Sequence, residues 1–132
     1  MKGVIHLSGK RKRSIARATL RPGKGIIRVN HVNVDVLNQQ LPKMKMMEPL
    51  ILAGSVATHV NIDVTVRGGG YMSQAEASRL VIARALVQHD KKLEKTFLEY
   101  DRHLLVADVR RKETKKPNRH GKARAKTQKS YR

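Results

Sequence analysis

Apolar and polar residues alternate most strictly between Val60 and Arg67, where Val60, Ile62, Val64 and Val66 interleave with Asn61, Asp63, Thr65 and Arg67. A period of two predicts a strand with one buried and one polar face. The same period runs from Arg13 to Arg21: Ser14, Ala16, Ala18 and Leu20 occupy the inner positions and Arg13, Arg17 and Arg21 the outer ones. On such a strand the neighbouring arginines of this series stand about 13 Å apart, at ~3.3 Å per residue, which makes it a phosphate-facing strand. Pro22-Gly23-Lys24-Gly25 has the residues of a tight reversal, and Ile26, Ile27 and Val29 supply a returning strand. Residues 13–30 are therefore expected to form a hairpin.

The period changes further along. Ser73-Gln74-Ala75-Glu76 has capping-box spacing, and a helix is expected from there to about His89. Its stretch Leu80 to Val87 is apolar nearly all round except at Arg84, which predicts a largely buried helix with Arg79 and Arg84 emerging at its margins. Asp90 is expected to cap another helix, in which Leu93, Thr96, Phe97 and Tyr100 share one face. A shorter helix is expected from a cap at Asn33 through Leu41, with Pro42 breaking it. The Met44, Met46 and Met47 cluster that leads into Leu50 and Ile51 reads as core filling. The order of elements is that of an α+β fold.

Charge narrows the partners. The 132 residues hold 29 Lys and Arg against 10 Asp and Glu, a formal net charge of +19. A compact chain with that self-repulsion is expected to live against a polyanion, nucleic acid first. Residues 110–132 carry 11 of the basic residues and one acid, Glu113. Beyond Val109 no aliphatic side chain is larger than Ala, so this run cannot bury enough surface to offset its ordering entropy. We expect a globular body over residues 1–109 and a basic arm over 110–132. At the other end, Lys10, Arg11, Lys12, Arg13, Arg17, Arg21, Lys24 and Arg28 all precede the first acid, Asp35. One Phe, three Tyr and no Trp are poor material for a base-stacking platform, so phosphate contact is expected to dominate.

Other chemistries find little support. The absence of Cys excludes disulfides, thiolate zinc sites and a Cys nucleophile, and points to an intracellular chain. No apolar run approaches the ~20 residues of a membrane span, and the N-terminus is too polar for a signal peptide. Gly3 to Gly9-Lys10 is spaced one residue too far for a P-loop and lacks its hydroxyl residue. Gly68-Gly69-Gly70 reads either as a phosphate cradle or, the reading favoured here, as a sharp turn needing positive φ or close backbone approach. His6, His31, His59, His89, His103 and His120 show no metal-ligand spacing, and the serines lack a G-x-S-x-G context. No enzyme activity, cofactor, metal or small-molecule substrate is expected.

Three segments stand out together: Ser8-Gly9-Lys10-Arg11-Lys12-Arg13-Ser14-Ile15-Ala16-Arg17-Ala18, followed by the Pro22-Gly23 turn and the Ile27 to Asn30 strand; Gly68-Gly69-Gly70 with Gln74-Ala75, Arg79 and Ile82-Ala83-Arg84-Ala85-Leu86; and the ending Gln128-Lys129-Ser130-Tyr131-Arg132. In this order they resemble the family of the universal ninth protein of the small ribosomal subunit (the ribosomal protein S-nine family). The resemblance covers nearly the whole chain. Met72-Ser73-Gln74-Ala75 and the Lys-Ser-Tyr-Arg ending depart from the bacterial pattern and look like the archaeal or eukaryotic branch.

The resemblance implies a small mixed sheet with helices packed on one side, similar to ribosomal S-five domain-two-like proteins, with a left-handed βαβ crossover. It also implies a structural, non-enzymatic role in the small subunit, in the cytoplasm. The body would bind ribosomal RNA in the subunit head beside neighbouring ribosomal proteins, and the arm would reach the peptidyl-site tRNA. The residues expected to meet ribosomal RNA are Lys10, Arg11, Lys12, Arg13, Arg17, Arg21, Lys24, Arg28, Arg67, Gly69, Gly70, Arg79 and Arg84 in the body, and Arg110, Arg111, Lys112, Lys115, Lys116, Arg119, Lys122, Arg124 and Lys126 in the arm. Lys129, Ser130, Tyr131 and Arg132 are expected at the tRNA. Two other readings of a small basic chain are a DNA-compacting architectural protein and an RNA-processing enzyme or its protein subunit. The scattered acids argue against a metal-dependent nuclease.

Overall fold

The computed structural model describes residues 3–125. Five strands form one mixed sheet: β1 (Ile5–Arg11), β2 (Ser14–Pro22), β3 (Ile27–Val29), β4 (Val32–Asn33) and β5 (Val60–Arg67). Three helices accompany them: α1 (Gln40–Ala53), α2 (Tyr71–His89) and α3 (Leu93–Tyr100). The sheet order is β1-β2-β5-β3-β4. The alternation read along β2 and β5 is the alternation of burial, since Ser14, Ala16, Ala18, Leu20, Val60 and Ile62 are all fully buried. The register pairs Ala16 with Val66, Ala18 with Val64 and Leu20 with Ile62, so the apolar sets of both strands meet on one face.

That face is covered by α2, whose Ala75, Ala77, Val81, Ile82, Ala83, Ala85 and Leu86 are buried. Gly9 lets the helix come close: a Cβ there would lie 2.8 Å from Val81 Cγ1 and 3.0 Å from Leu80 Cδ2. The glycine that almost fits a phosphate-loop spacing is therefore a packing glycine of β1. Helix α1 packs on α2 and, with α3, completes one helical side, while Phe97 and Leu104 close the bottom of the core.

The expected 13–30 hairpin does not form. β5 lies between β2 and β3, antiparallel to the first and parallel to the second, so Pro22 to Gly25 is a connection and not a hairpin turn. The hairpin is β1–β2, closed by Lys12 and Arg13 with Lys12 at φ 53°. A β-branched central strand offers better partners than the three-residue β3, and nothing local to 13–30 reveals it. Asn61 of β5 takes over the reversal: its Oδ1 accepts from the N–H of Lys24 (2.9 Å) and of Ile26 (3.1 Å).

Local signals also misplace the first helix. Asn33 caps only a 3-10 turn at Val34–Val36, and Pro42 sits in the first turn of α1, where its missing N–H costs nothing. Of the methionines, Met46 is buried and Met47 half-buried, whereas Met44 is 62% exposed. Helix α2 begins at Tyr71 with Gly70 as its N-cap residue, so Ser73 and Glu76 are in the first turns and not a capping box. On α3 Phe97 is buried while Thr96 and Tyr100 face solvent.

Candidate nucleic-acid interface

The sheet face away from the helices is open. Its outer positions carry Lys10 on β1, Arg17 and Arg21 on β2, Arg28 on β3 and Arg67 on β5, all exposed. The register gathers them: Ser8 faces Arg17, Lys10 faces Ile15, and Ile15 faces Arg67. Asp63 is the one acid at an outer strand position among the described residues, and it lies in register with Thr19 and Arg28. His6, Ser8, Thr19, Asn61 and Thr65 add further hydrogen-bonding groups at the outer positions, residues that a count of Lys and Arg alone overlooks. Lys24 is exposed at the edge of this surface, in the Pro22–Gly25 connection.

A second concentration of charge adjoins it. A cleft of about 560 Å³ opens where the β1–β2 turn, the glycine turn and residues 110–112 meet. Arg11, Lys12, Arg13, Gly69, Gly70, Ser73, Arg110, Arg111 and Lys112 line it, with no acid among them. The turn is built by backbone constraints. Gly68 and Gly69 have φ of +79° and +66°; a Cβ on Gly68 would approach Arg13 O to 2.7 Å, and one on Gly69 would collide with Ser14 Oγ. The buried Ser14 hydroxyl donates to Gly68 O at 2.8 Å, and Gln74 Nε2 donates to the same oxygen at 3.1 Å. Positive φ and close approach thus account for the first two glycines, while Gly70 has an ordinary extended φ of −91° and open space where a Cβ would be.

Two of the cleft's arginines are held by acids of the protein, and a third, Arg111, donates through Nη1 to Asp108 O and Arg110 O, each at 3.3 Å. Arg11 Nε donates to Glu76 Oε2 at 2.7 Å, and its Nη1 lies 3.3 Å from Asp108 Oδ2. Arg110 grips Asp108 with Nε (2.9 Å) and Nη2 (2.7 Å) to Oδ2. The Arg110 side chain and backbone N–H, with Arg11 alongside, hold the Asp108 carboxyl far below the usual carboxylate range despite an opposing desolvation effect. Asp108 therefore stays charged and fastens the start of the basic run to β1. Lys12, Arg13, Arg111 and Lys112 form no ion pair among the described residues and are exposed.

Arg79 and Arg84 occupy different environments. Arg79 is 7% exposed; its Nε and Nη2 bind Glu48 Oε2 at 2.7 and 2.6 Å, and Nη2 binds Asp101 Oδ2 at 3.0 Å. Arg84 donates through Nε to Leu105 O at 2.8 Å. Both guanidiniums serve contacts inside the body, at places where helical periodicity alone marks only the edge of an apolar surface.

Beyond the 3-10 turn at Arg102–Leu104 no helix or strand follows among the described residues. Glu113 gives this stretch a local loop: it accepts from Lys116 Nζ (2.7 Å) and Arg124 Nε (2.9 Å), and the Lys116 N–H donates to Lys122 O (3.1 Å). Those two hydrogen bonds lower the Glu113 pKa against a smaller desolvation effect. Lys115, Arg119 and Lys122 remain exposed. Lys126, Lys129, Ser130, Tyr131 and Arg132 lie outside the described residues. Among the described residues no group of three His, Asp or Glu side chains could hold a metal ion, and no helix is long and apolar enough to cross a membrane.

Comparison with known proteins matches this arrangement to one family. The model of ribosomal protein S9/S16 matches residues 9–132. The small ribosomal subunit protein uS9 of Methanothrix thermoacetophila is 50% identical over 131 residues, which span 98% of each chain. That of Desulfurococcus amylolyticus is 50% identical over 131 residues, 98% of this chain and 93% of its own. That of Methanococcus maripaludis is 46% identical over 132 residues, 98% of each. Archaeal relatives agree with the branch that the chain's ending implied. Matched from Gly9 to its basic ending, the chain belongs to the ribosomal protein S9/S16 family and is a ribosomal protein, not an enzyme.

Proposed function

We propose that the protein is a structural component of the small ribosomal subunit that binds ribosomal RNA through its open sheet face and the adjoining cleft, beside neighbouring ribosomal proteins in the cytoplasm. The observation that carries this reading is the segregation of charge across one sheet. One face is sealed by α2, and the other displays Lys10, Arg17, Arg21, Arg28 and Arg67 against Asp63 alone. A solvated sheet face normally mixes signs; five cations on one plane repel one another until phosphates lie between them. Lys24 extends that plane. The arm, residues 110–132, adds Arg110, Arg111, Lys112, Lys115, Lys116, Arg119, Lys122, Arg124 and Lys126 to the RNA-binding residues, and its last residues, Lys129 to Arg132, reach the peptidyl-site tRNA. Arg79, buried between Glu48 and Asp101, and Arg84, half-buried against Leu105 O, are left out of the RNA-facing set, whereas Arg110, Lys116 and Arg124 are exposed where they hold their acids. No cofactor is required for this role, since positioning and charge neutralisation suffice.

Sedimentation of tagged protein from cell lysate tests the reading. Co-migration with small subunits and polysomes is expected. A profile confined to free protein or nucleoid would overturn it.

A further inference from the structure

Resting on the RNA-binding reading, we propose that the cleft between the β1–β2 turn, the glycine turn and residues 110–112 is a site for a single unpaired nucleotide, taking its base against the cleft wall and its phosphate against the rim cations. Size is the first argument. About 560 Å³ falls within the range of small-molecule sites and is far more than one phosphate needs. The second is the character of the lining. Its surface is mostly carbon, from glycine backbone and the stems of arginine and lysine, while its charged tips are all positive. A lone anion gains nothing from carbon walls; an uncharged ligand gains nothing from the cations. A nucleotide uses both.

The third argument is which cations have no acid to neutralise them. Asp108 and Glu76 hold Arg11 and Arg110, leaving Lys12, Arg13 and Lys112, and Arg111 with only backbone carbonyls on its Nη1, without an ion pair among the described residues. They come from segments about 100 residues apart in sequence and are brought together by the Asp108 contacts. A paired duplex presents its phosphates on a convex backbone and keeps its bases stacked inside, so only a bulged or looped residue can enter a concavity of this kind.

Gly70 permits a test that removes no charge. Its φ of −91° suits any residue, and a Cβ there meets nothing within 4 Å, so Gly70→Leu fills the cleft without straining the turn. The full chain is titrated at fixed salt into two RNA stems identical except for one single-nucleotide bulge, with 2-aminopurine as the bulged base. The wild type is expected to bind the bulged stem about ten-fold more tightly, the worth of one captured base, with a fluorescence change on binding. Gly70→Leu is expected to bind both stems alike, at the wild-type affinity for the paired one, without the fluorescence change. Free nucleoside monophosphate is expected to erase the bulge preference, whereas inorganic phosphate at equal ionic strength is not.

Equal wild-type affinity for both stems overturns the nucleotide site and leaves the RNA-binding reading intact. So does erasure by inorganic phosphate, which reduces the cleft to an anion site. Preference persisting in Gly70→Leu, folded by circular dichroism, also overturns it. Should that variant fail to fold, the wild-type fluorescence and the competition series decide alone. Binding to neither stem overturns the RNA-binding reading itself.

Discussion

Arg79 on α2 and Glu48 on α1 form an ion pair, Nη2 to Oε2 at 2.6 Å, with the arginine side chain 8% exposed and the carboxylate 28%. Asp101, at the end of α3, meets the same guanidinium at 3.0 Å, so one side chain joins all three helices. Removing it leaves two carboxylates that still reach water, which makes the loss smaller than for a fully buried pair. Arg79→Met is expected to destabilise the protein by about 1–3 kcal/mol and lower Tm by several degrees. Thermal unfolding followed by circular dichroism checks this.

The exposed arginines of the Arg13 to Arg21 series should behave in the opposite way. Arg13, Arg17 and Arg21 are exposed and hold no ion pair in the described structure, so replacing all three with Gln is expected to leave Tm nearly unchanged. Binding to ribosomal RNA should weaken, with the slope of log affinity against log salt flatter by about two to three units. An unchanged slope with a collapsed Tm would assign these arginines to the fold.

The glycine turn separates backbone demand from ligand contact. Gly69→Ala meets positive φ, costing about 1–2 kcal/mol, plus a collision with the buried Ser14 hydroxyl. Gly70→Ala, with ordinary φ and open space, is expected to stay within about 0.5 kcal/mol of wild type. Denaturant unfolding of the two variants gives the contrast directly.

Asp101 gives a pH dependence of known sign. Burial pushes its carboxyl pKa up, but the His103 backbone N–H and Arg79 outweigh it and the net shift is downward from 3.8. A depressed folded pKa contributes stability that is present above the unfolded value and lost as pH falls through the folded one. Wild-type Tm should therefore drop on acidification below about pH 4 more steeply than that of Asp101→Asn, the two curves converging at the acid end. Parallel curves would show that Asp101 contributes nothing through its charge.

At the terminus, deletion of Lys129 to Arg132 separates a positioned contact from bare polycation charge. Incorporation into small subunits should persist, and peptidyl-site tRNA should dissociate a few-fold faster, since a charge-assisted contact is worth roughly 1.5–3 kcal/mol when well formed and less when solvated. Equal dissociation rates across a salt series, at equal occupancy of the subunits, would count against a positioned terminal contact.

What the sequence alone determined was local. Side-chain alternation sets which residues of β2 and β5 face inward, because a strand's period is two wherever it pairs; the buried length of α2 follows likewise from a run of apolar residues wider than one helical face. The basic outer positions were legible for the same reason. Tertiary structure decided which strand lies beside which: Ile27 pairs with Ile62, 35 residues away, and not with the strand it directly follows, because pairing energy depends on the partner's face and not on its nearness in sequence. It also decided the fate of each arginine. Arg79 and Arg17 are indistinguishable as residues, yet one has Glu48 and Asp101 folded against it and the other faces an open sheet, since a guanidinium can leave water only where acids from other segments arrive to meet it.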